Sequence, residues 1–233
     1  MKCLEYEIKK NVEKILRGDV TGFLANNLRV EVQNRLKRNS YQVFMPFKEA
    51  EKVILYPTGK VPKVRLFEIC AYKDDVLKHS AIMGSLFGLN ITSEMFGDIV
   101  KLNDSFYVYL IDSICDLVLD EFRMAGNVPI RLKEVSNDLL NNFEREYERY
   151  EVIVSSLRID TVISRLIHCN RDFVEEKIRN QEIIVNDTVI KKSSSSIKGG
   201  DIFSIRGYGK YRFTEIAGRT KKDNFIIEID KYI

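Results

Sequence analysis

The sequence predicts an α+β fold in which helices and strands follow one another along the chain. Apolar residues recur at helical spacing near the start, and from about residue 52 short apolar runs are bounded by proline, glycine and asparagine. A length of 233 residues, with 45% hydrophobic and 30% charged residues, suffices for more than one buried core. We therefore expect a folded protein made of several small domains.

Residues 1–50 are predicted to be a helical N-terminal region. Leu4, Ile8, Val12 and Ile15 recur close to helical spacing, and a second helix is expected over residues 30–36. This pattern by itself assigns no chemistry to the region.

Residues 51–137 are predicted to form a domain in which strand, helix, strand, strand, helix and strand follow one another. This is the ferredoxin-like βαββαβ order, which RNA-recognition-motif (RRM) domains also use. Tyr107 and Tyr109 alternate with other apolar residues in SFYVYLI, so one set of side chains faces a core and the other the open side of the sheet. Aromatic residues on that side stack bases in RRM domains. A structural role is favoured here, because the glycine-rich signature of such strands is missing.

Residues 138–153 are predicted to be a linker helix, and residues 154–233 a C-terminal domain. Positive charge is concentrated in that domain: residues 155–233 carry 15 Lys and Arg against 11 Asp and Glu. Within it, residues 188–222 hold nine basic residues against two acidic ones, a net charge of +7. A local excess of this kind attracts phosphates.

The C-terminal domain is predicted to begin with two short helices that carry cations. Arg158 and Arg165 lie seven residues apart on one face of the first helix. Asn170 is a suitable N-cap for the second helix, which is expected to expose Arg171 and Lys177. Arg171 falls in the first turn, where free backbone N–H groups and a guanidinium can hold a phosphate together.

The same segment resembles the S-four type (alpha-L) RNA-binding domain. The matching runs are RID at 158–160, NR at 170–171, IIVND at 183–187 and GDIF at 200–203. Thr161, Gln181 and Asp187 stand where lysine, glycine and glycine are frequent in that family. Asn186 is favoured as a turn former over a base reader. The charge pattern and the resemblance together predict these RNA-binding residues: Arg158, Arg165, Asn170, Arg171, Lys177, Asn186, Lys191, Lys192, Arg206 and Lys210.

Further runs resemble the YlmH family. They are LKHSAIMGSLFGLNITSEMFGDIV at 77–100, FKEAEKVILYP upstream and GRTKKDNF near the end of the chain. The resemblance implies an RNA-binding protein at the ribosome, with an RRM-like middle domain and an S-four type domain. It also implies a link to cell-division gene clusters, and a likeness to small proteins that assist ribosome quality control on large subunits obstructed by peptidyl-tRNA.

The function predicted from the sequence is a non-enzymatic, cytoplasmic RNA-binding protein that docks on structured rRNA or tRNA. No nucleophile with a base, phosphate loop, zinc spacing or paired acids is found, so no cofactor and no metal are expected. No apolar run could span a bilayer and no signal peptide is visible, so no membrane partner is expected. Two alternatives stay open: an RNA-modifying enzyme, and a cell-division-linked scaffold with a protein partner.

Overall fold

A computed structural model describes residues 2–72 and 75–233. The chain divides into two compact units, the first reaching Glu144 and the second running from Arg145 to Ile233. Helices and strands are mixed in both units, which confirms the predicted α+β class. No helix of the described residues is long and apolar enough to cross a membrane.

The first unit holds the predicted N-terminal region and the predicted middle domain. Its helices and strands, in chain order, are α1 (Lys2–Leu16), β1 (Phe23–Leu24), α2 (Asn26–Asn34), β2 (Gln42–Phe44), β3 (Val53–Tyr56), β4 (Val64–Ala71), α3 (His79–Gly88), β5 (Phe96–Leu102), β6 (Ser105–Ile111), α4 (Cys115–Glu121), β7 (Met124–Ala125) and β8 (Val128–Val135).

The N-terminal region is less helical than predicted. Helices α1 and α2 are present, but β1 and β2 pair antiparallel with the two sides of β3. These strands have two and three residues, which is too short to show a period of two in the sequence. Val53 and Leu55 of β3 pack with the apolar faces of α1 and α2, and Ile54 points to the other side of the small sheet.

The middle domain has the predicted order of elements. Strands β4, β5, β6 and β8 with helices α3 and α4 give βαββαβ, and the sheet order is β5-β6-β4-β8 with every neighbouring pair antiparallel. This is the ferredoxin-like topology. Short strand β7 adds a fifth member beside β8.

Both faces of the middle sheet are covered within the first unit. Phe67, Val108 and Leu110 pack against α3 and α4 on one face. On the other face, Tyr107 and Tyr109 are only 8% and 2% exposed, in a core that also contains residues from the N-terminal strands. Their hydroxyls donate to a Glu68 carboxylate oxygen at 3.0 Å and to the Asn137 carbonyl at 2.6 Å. The expected open side is therefore closed, and the structural role favoured for the two tyrosines is confirmed.

The second unit is a six-stranded antiparallel sheet with two helices. Its elements are β9 (Tyr147–Val154), α5 (Ile159–Leu166), α6 (Arg171–Arg179), β10 (Ile183–Val185), β11 (Thr188–Val189), β12 (Ile202–Ile205), β13 (Gly209–Arg219) and β14 (Phe225–Tyr232), in the sheet order β11-β10-β12-β13-β14-β9.

The predicted linker helix over residues 138–153 is wrong. Residues 147–153 of that segment belong to β9, which pairs with β14 from Tyr147–Tyr232 to Val154–Phe225. Val152 and Val154 point into the core of the second unit, while Glu151 and Ile153 alternate with them and are exposed on the other face. The alternation was not recognised in the sequence, because only a few apolar residues face the core and charged residues surround them.

The two predicted helices of the C-terminal domain are confirmed. Helix α6 begins after Asn170, whose side-chain oxygen accepts a hydrogen bond from the Phe173 N–H at 2.8 Å. Helix α5 buries Val162, Ile163 and Leu166 against the sheet. The predicted hairpin of β10 and β11 and the returning strand β12 are also present.

The start of α5 is fixed by a buried carboxylate. Asp160 is 1% exposed and accepts two hydrogen bonds from the Arg158 guanidinium, at 2.8 and 3.1 Å, and one from the Thr161 N–H at 2.8 Å. Burial opposes ionisation, but the hydrogen bonds from Arg158 and Thr161 outweigh it, so the pKa of Asp160 lies below its ordinary value.

Asp160→Asn is therefore expected to destabilise the second unit at neutral pH by about 2 kcal/mol, because a charged hydrogen-bonded acceptor is lost. A carboxyl with a lowered pKa contributes stability above its ordinary pKa and loses it as the pH falls. The difference in unfolding free energy between wild type and variant, measured in urea, should therefore narrow as the pH falls below about 4. The control is Asp223→Asn, which removes an exposed partner of Arg219 and should cost under about 0.5 kcal/mol. Equal losses in the two variants would contradict this assignment.

Gln181 adopts a backbone conformation that favours glycine, with φ at 58°. It lies between α6 and β10, where the S-four pattern has a glycine. A side chain in the left-handed region costs about 1 kcal/mol or more, so Gln181→Gly should stabilise the second unit by about 0.5 to 1 kcal/mol. Slower hydrogen–deuterium exchange in β10 and β12 would show this. Gln181→Ala keeps the Cβ atom and should bring no gain; a gain of the same size would rule out the backbone explanation.

Candidate nucleic-acid interface

A cleft of about 530 Å³ lies between α5 and α6 in the second unit. We call it the helix-pair cleft. Its polar lining brings together three of the predicted RNA-binding residues, Arg165, Asn170 and Arg171, through the turn that joins the two helices. The complete lining is Ser155, Thr161, Ser164, Arg165, His168, Cys169, Asn170 and Arg171.

The two arginines of the helix-pair cleft differ in how firmly they are held. Arg171 donates from Nη2 to the hydroxyl of Thr161 at 2.9 Å, while Thr161 itself is 3% exposed. Arg165 is exposed, and within the described part of the chain its guanidinium has no hydrogen-bond or ion-pair partner. One cation is therefore preset at the wall of the cleft, and the other can turn towards a ligand.

The N-terminus of α6 opens at the same place. The first N–H groups of a helix lack partners within the helix, and the helix dipole makes this end partly positive. Asn170 satisfies the N–H of Phe173, and Arg171 occupies the first position of the helix. Two guanidinium groups and a helix N-terminus around a single cleft suit a phosphate of a nucleic-acid backbone.

Arg158 is not part of the lining of the helix-pair cleft, and its side chain serves the fold. Its guanidinium binds the Asp160 carboxylate, and its backbone bridges to Ser196. The loop that carries Lys191 and Lys192 continues into Ser193 and Ser195, whose carbonyls accept the N–H groups of Asp160 and Ile159. Both lysines are exposed, and these hydrogen bonds hold their loop near the start of α5. Their side chains are therefore accessible to a phosphate.

Lys177 and Arg206 lie elsewhere on the unit. The expected exposure of Lys177 is wrong: its side chain is 14% exposed, and its ammonium donates to Glu182 at 2.8 Å and to the Arg206 carbonyl at 3.2 Å. It also lies over the rings of Phe173 and Tyr208. This lysine ties α6 to the sheet. Arg206 is 80% exposed and only loosely paired with Glu182, at 3.9 Å.

Asn186 holds a turn, as favoured from the sequence. Its φ is 46°, its amide donates to Asp201 at 2.9 Å, and its side-chain oxygen accepts the Ile202 N–H at 2.9 Å. These bonds fasten the β10–β11 hairpin to the start of β12. Both functional groups of the amide are thus used inside the domain.

Lys210 lies on the opposite face of the sheet from α5 and α6, because its neighbour Tyr211 points into the core. Its ammonium is 5.1 Å from the centroid of Tyr232. Arg145 and Arg212 also contact that ring, at 5.2 and 5.6 Å. Arg212 belongs to the basic stretch 188–222 but is not among the residues predicted from the sequence to bind RNA, because strand pairing in the sheet brings this cluster together.

Two residues of the helix-pair cleft bear on whether it can catalyse a reaction. His168 and Cys169 both line it, and such side chains can form a nucleophile and its base. Burial raises the pKa of the Cys169 thiol, which keeps it protonated and weakly nucleophilic at neutral pH. The described residues contain no group of three or more His, Cys, Asp or Glu side chains placed to hold a metal ion.

Comparison with known proteins connects the chain with a family of RNA-binding domains. Residues 57–138 match the family described as "Putative RNA-binding domain in YlmH". The chain is 29% identical over 189 residues to the ribosome-associated protein quality control protein P2 of Bacillus subtilis, an alignment that covers 78% of this chain and 74% of that protein.

A solved structure, the cell division protein ylmH from Streptococcus pneumoniae, is 21% identical to this chain. The superposition has a TM-score of 0.45 and covers 58% of this chain and 90% of the other. The predicted resemblance to the YlmH family is confirmed by the sequence match: residues 57–138 are similar to the putative RNA-binding domain of YlmH.

Proposed function

We propose that this chain is a non-enzymatic RNA-binding protein that docks on structured rRNA or tRNA at the ribosome. The observation that carries the proposal is the helix-pair cleft, where Arg165, Arg171 and the N-terminus of α6 converge. The family of the middle domain and the name of the Bacillus relative support RNA and the ribosome as partners. The relative's name extends the proposal to ribosome-associated quality control. Large subunits obstructed by peptidyl-tRNA are the target that the YlmH resemblance implies.

The chemistry of the helix-pair cleft favours binding over catalysis. Its charged side chains are cations that attract phosphate, and its thiol has a raised pKa. An RNA-modifying enzyme would need an activated nucleophile or a general base aimed at the bound nucleotide. We therefore propose that the cleft positions RNA through its backbone and leaves the RNA unchanged.

The proposal is tested by sedimenting a tagged copy of the chain through a density gradient of cell lysate at low and raised salt, and sequencing the RNA that travels with it. Migration with a ribosomal subunit that is lost as the salt concentration rises would support docking through phosphates. Migration as free protein without RNA would contradict the proposal and favour a scaffold that binds protein partners.

The double variant Arg165→Ala with Arg171→Ala should weaken binding to unfractionated tRNA and to purified large ribosomal subunits. Loss of two phosphate contacts should flatten the plot of log affinity against log salt by about 2. The fold should survive, since both side chains are exposed and only one internal hydrogen bond, worth about 1 kcal/mol, is lost. The matched control is Lys37→Ala with Arg38→Ala, an exposed cation pair in the first unit. An unchanged slope in the cleft variant would remove the helix-pair cleft from the proposal.

Thr161→Val tests whether the anchoring of Arg171 matters for binding, because the variant removes its anchor and keeps its charge. The change keeps the shape of a buried side chain but removes the oxygen that accepts from Arg171 at 2.9 Å, together with its longer contacts, 3.3 Å each, to Asp160 and Ser156. Affinity for the same tRNA should fall roughly fivefold, equivalent to about 1 kcal/mol. The salt slope should stay the same, because no cation is lost. Thr188→Val, at an exposed site on β11, is the control. Wild-type affinity for Thr161→Val would show that the anchoring of Arg171 does not matter.

A further inference from the structure

The hairpin between β13 and β14 ends in an ordered turn, residues 220–224, which we call the hairpin tip. The Thr220 N–H donates to the Asn224 carbonyl at 2.9 Å, and the Asn224 N–H donates to the Thr220 hydroxyl at 3.1 Å. Asp223, with φ at 61°, donates its N–H to the Thr220 carbonyl at 2.9 Å. These bonds give the turn a defined conformation.

The base of the hairpin tip is locked by Arg219. Its guanidinium pairs with the Asp223 carboxylate at 2.6 Å and lies over the ring of Phe225, 4.2 Å from the centroid. Phe225 in turn packs against the core of the second unit. The acidic residue of the tip is thus neutralised inside the turn, and Arg219 is used to hold it.

Lys221 and Lys222 are left at the centre of the hairpin tip. Both are exposed, and neither side chain has a hydrogen-bond or ion-pair partner among the described residues. The carboxylate of the turn is already paired, and the two adjacent lysines make no contact within the unit. The turn therefore presents two positive charges on an ordered backbone. Because the backbone of the turn is already ordered, less backbone freedom is lost when the two lysines bind a ligand.

The hairpin tip lies at the same end of the sheet as the helix-pair cleft. Phe225 pairs with Val154 of β9, and the next residue of that strand's chain, Ser155, lines the cleft. Beyond Ser155 the chain turns into α5, which carries Arg165. The two lysines and the two cleft arginines therefore border one edge of the second unit.

We propose that the hairpin tip is a second RNA-binding element, in which Lys221 and Lys222 contact backbone phosphates of the same RNA that occupies the helix-pair cleft. The inference rests on the proposed function, because it needs an RNA held at the cleft. The ligand is a run of phosphates on a structured RNA, contacted without reading bases. Such contacts add affinity and fix orientation, and they leave base preference unchanged.

The tip variant carries both Lys221→Ala and Lys222→Ala. It is compared with the wild type, with the cleft double variant and with the control that carries Lys37→Ala and Arg38→Ala. Binding to unfractionated tRNA and to purified large ribosomal subunits is measured between about 50 and 200 mM KCl. At the lowest salt concentration the tip variant should bind at least about fivefold more weakly than the wild type. Its slope of log affinity against log salt should be smaller by about 2. Its circular dichroism and urea midpoint should equal those of the wild type, since the lysine side chains support no internal contact.

The outcomes separate the two proposals. If the wild type binds and the cleft variant is weakened while the tip variant matches the control, the second element is overturned and the proposed function stands. If the wild type binds neither RNA nor subunits, both proposals fail. Weakening of the tip variant with an unchanged salt slope would also overturn the inference, because lost phosphate contacts must change that slope.

Discussion

The buried carboxylate of Asp160 is the constraint on which the candidate interface depends. A carboxylate at 1% exposure is tolerated only where cations and N–H groups surround it. Meeting that need places Arg158 at the start of α5 and draws in the Thr161 N–H and hydroxyl. The same hydroxyl accepts from Arg171. A requirement of folding therefore sets the position of a cation that can meet RNA.

Sheets divide each unit into faces with different uses. In the first unit both faces of the middle sheet are buried, one by α3 and α4 and the other by residues that include Phe23 and Ile54. The face that RRM domains use for RNA is thus closed here. The outer side of α3 is open instead: Met83 and Phe87 are exposed, and a Cβ at Gly84 would meet no atom within 4 Å. In the second unit α5 and α6 cover one face of the sheet, and the cations of the helix-pair cleft lie on these helices.

Much of this could be predicted from the sequence where the signal is local. Apolar runs gave the order of the middle domain, and Asn170 marked the start of α6 because an N-cap is a short-range interaction. Strand β9 was misjudged because charged residues obscure the alternation in its own sequence. Its partner, β14, lies about 80 residues away, so no local signal indicated the pairing. Lys177 was misjudged because Tyr208 and the Arg206 carbonyl, about 30 residues away, meet its ammonium only in the folded unit.

The central claim is that RNA lies against the α5–α6 side of the second unit. Ultraviolet crosslinking of the tagged chain to RNA in lysate, followed by mass mapping of the peptides that carry nucleotides, tests it most directly. Crosslinked peptides are expected from residues 155–171, and the buried strand β6 should be free of adducts. Crosslinks confined to the first unit, or none at all, would contradict it.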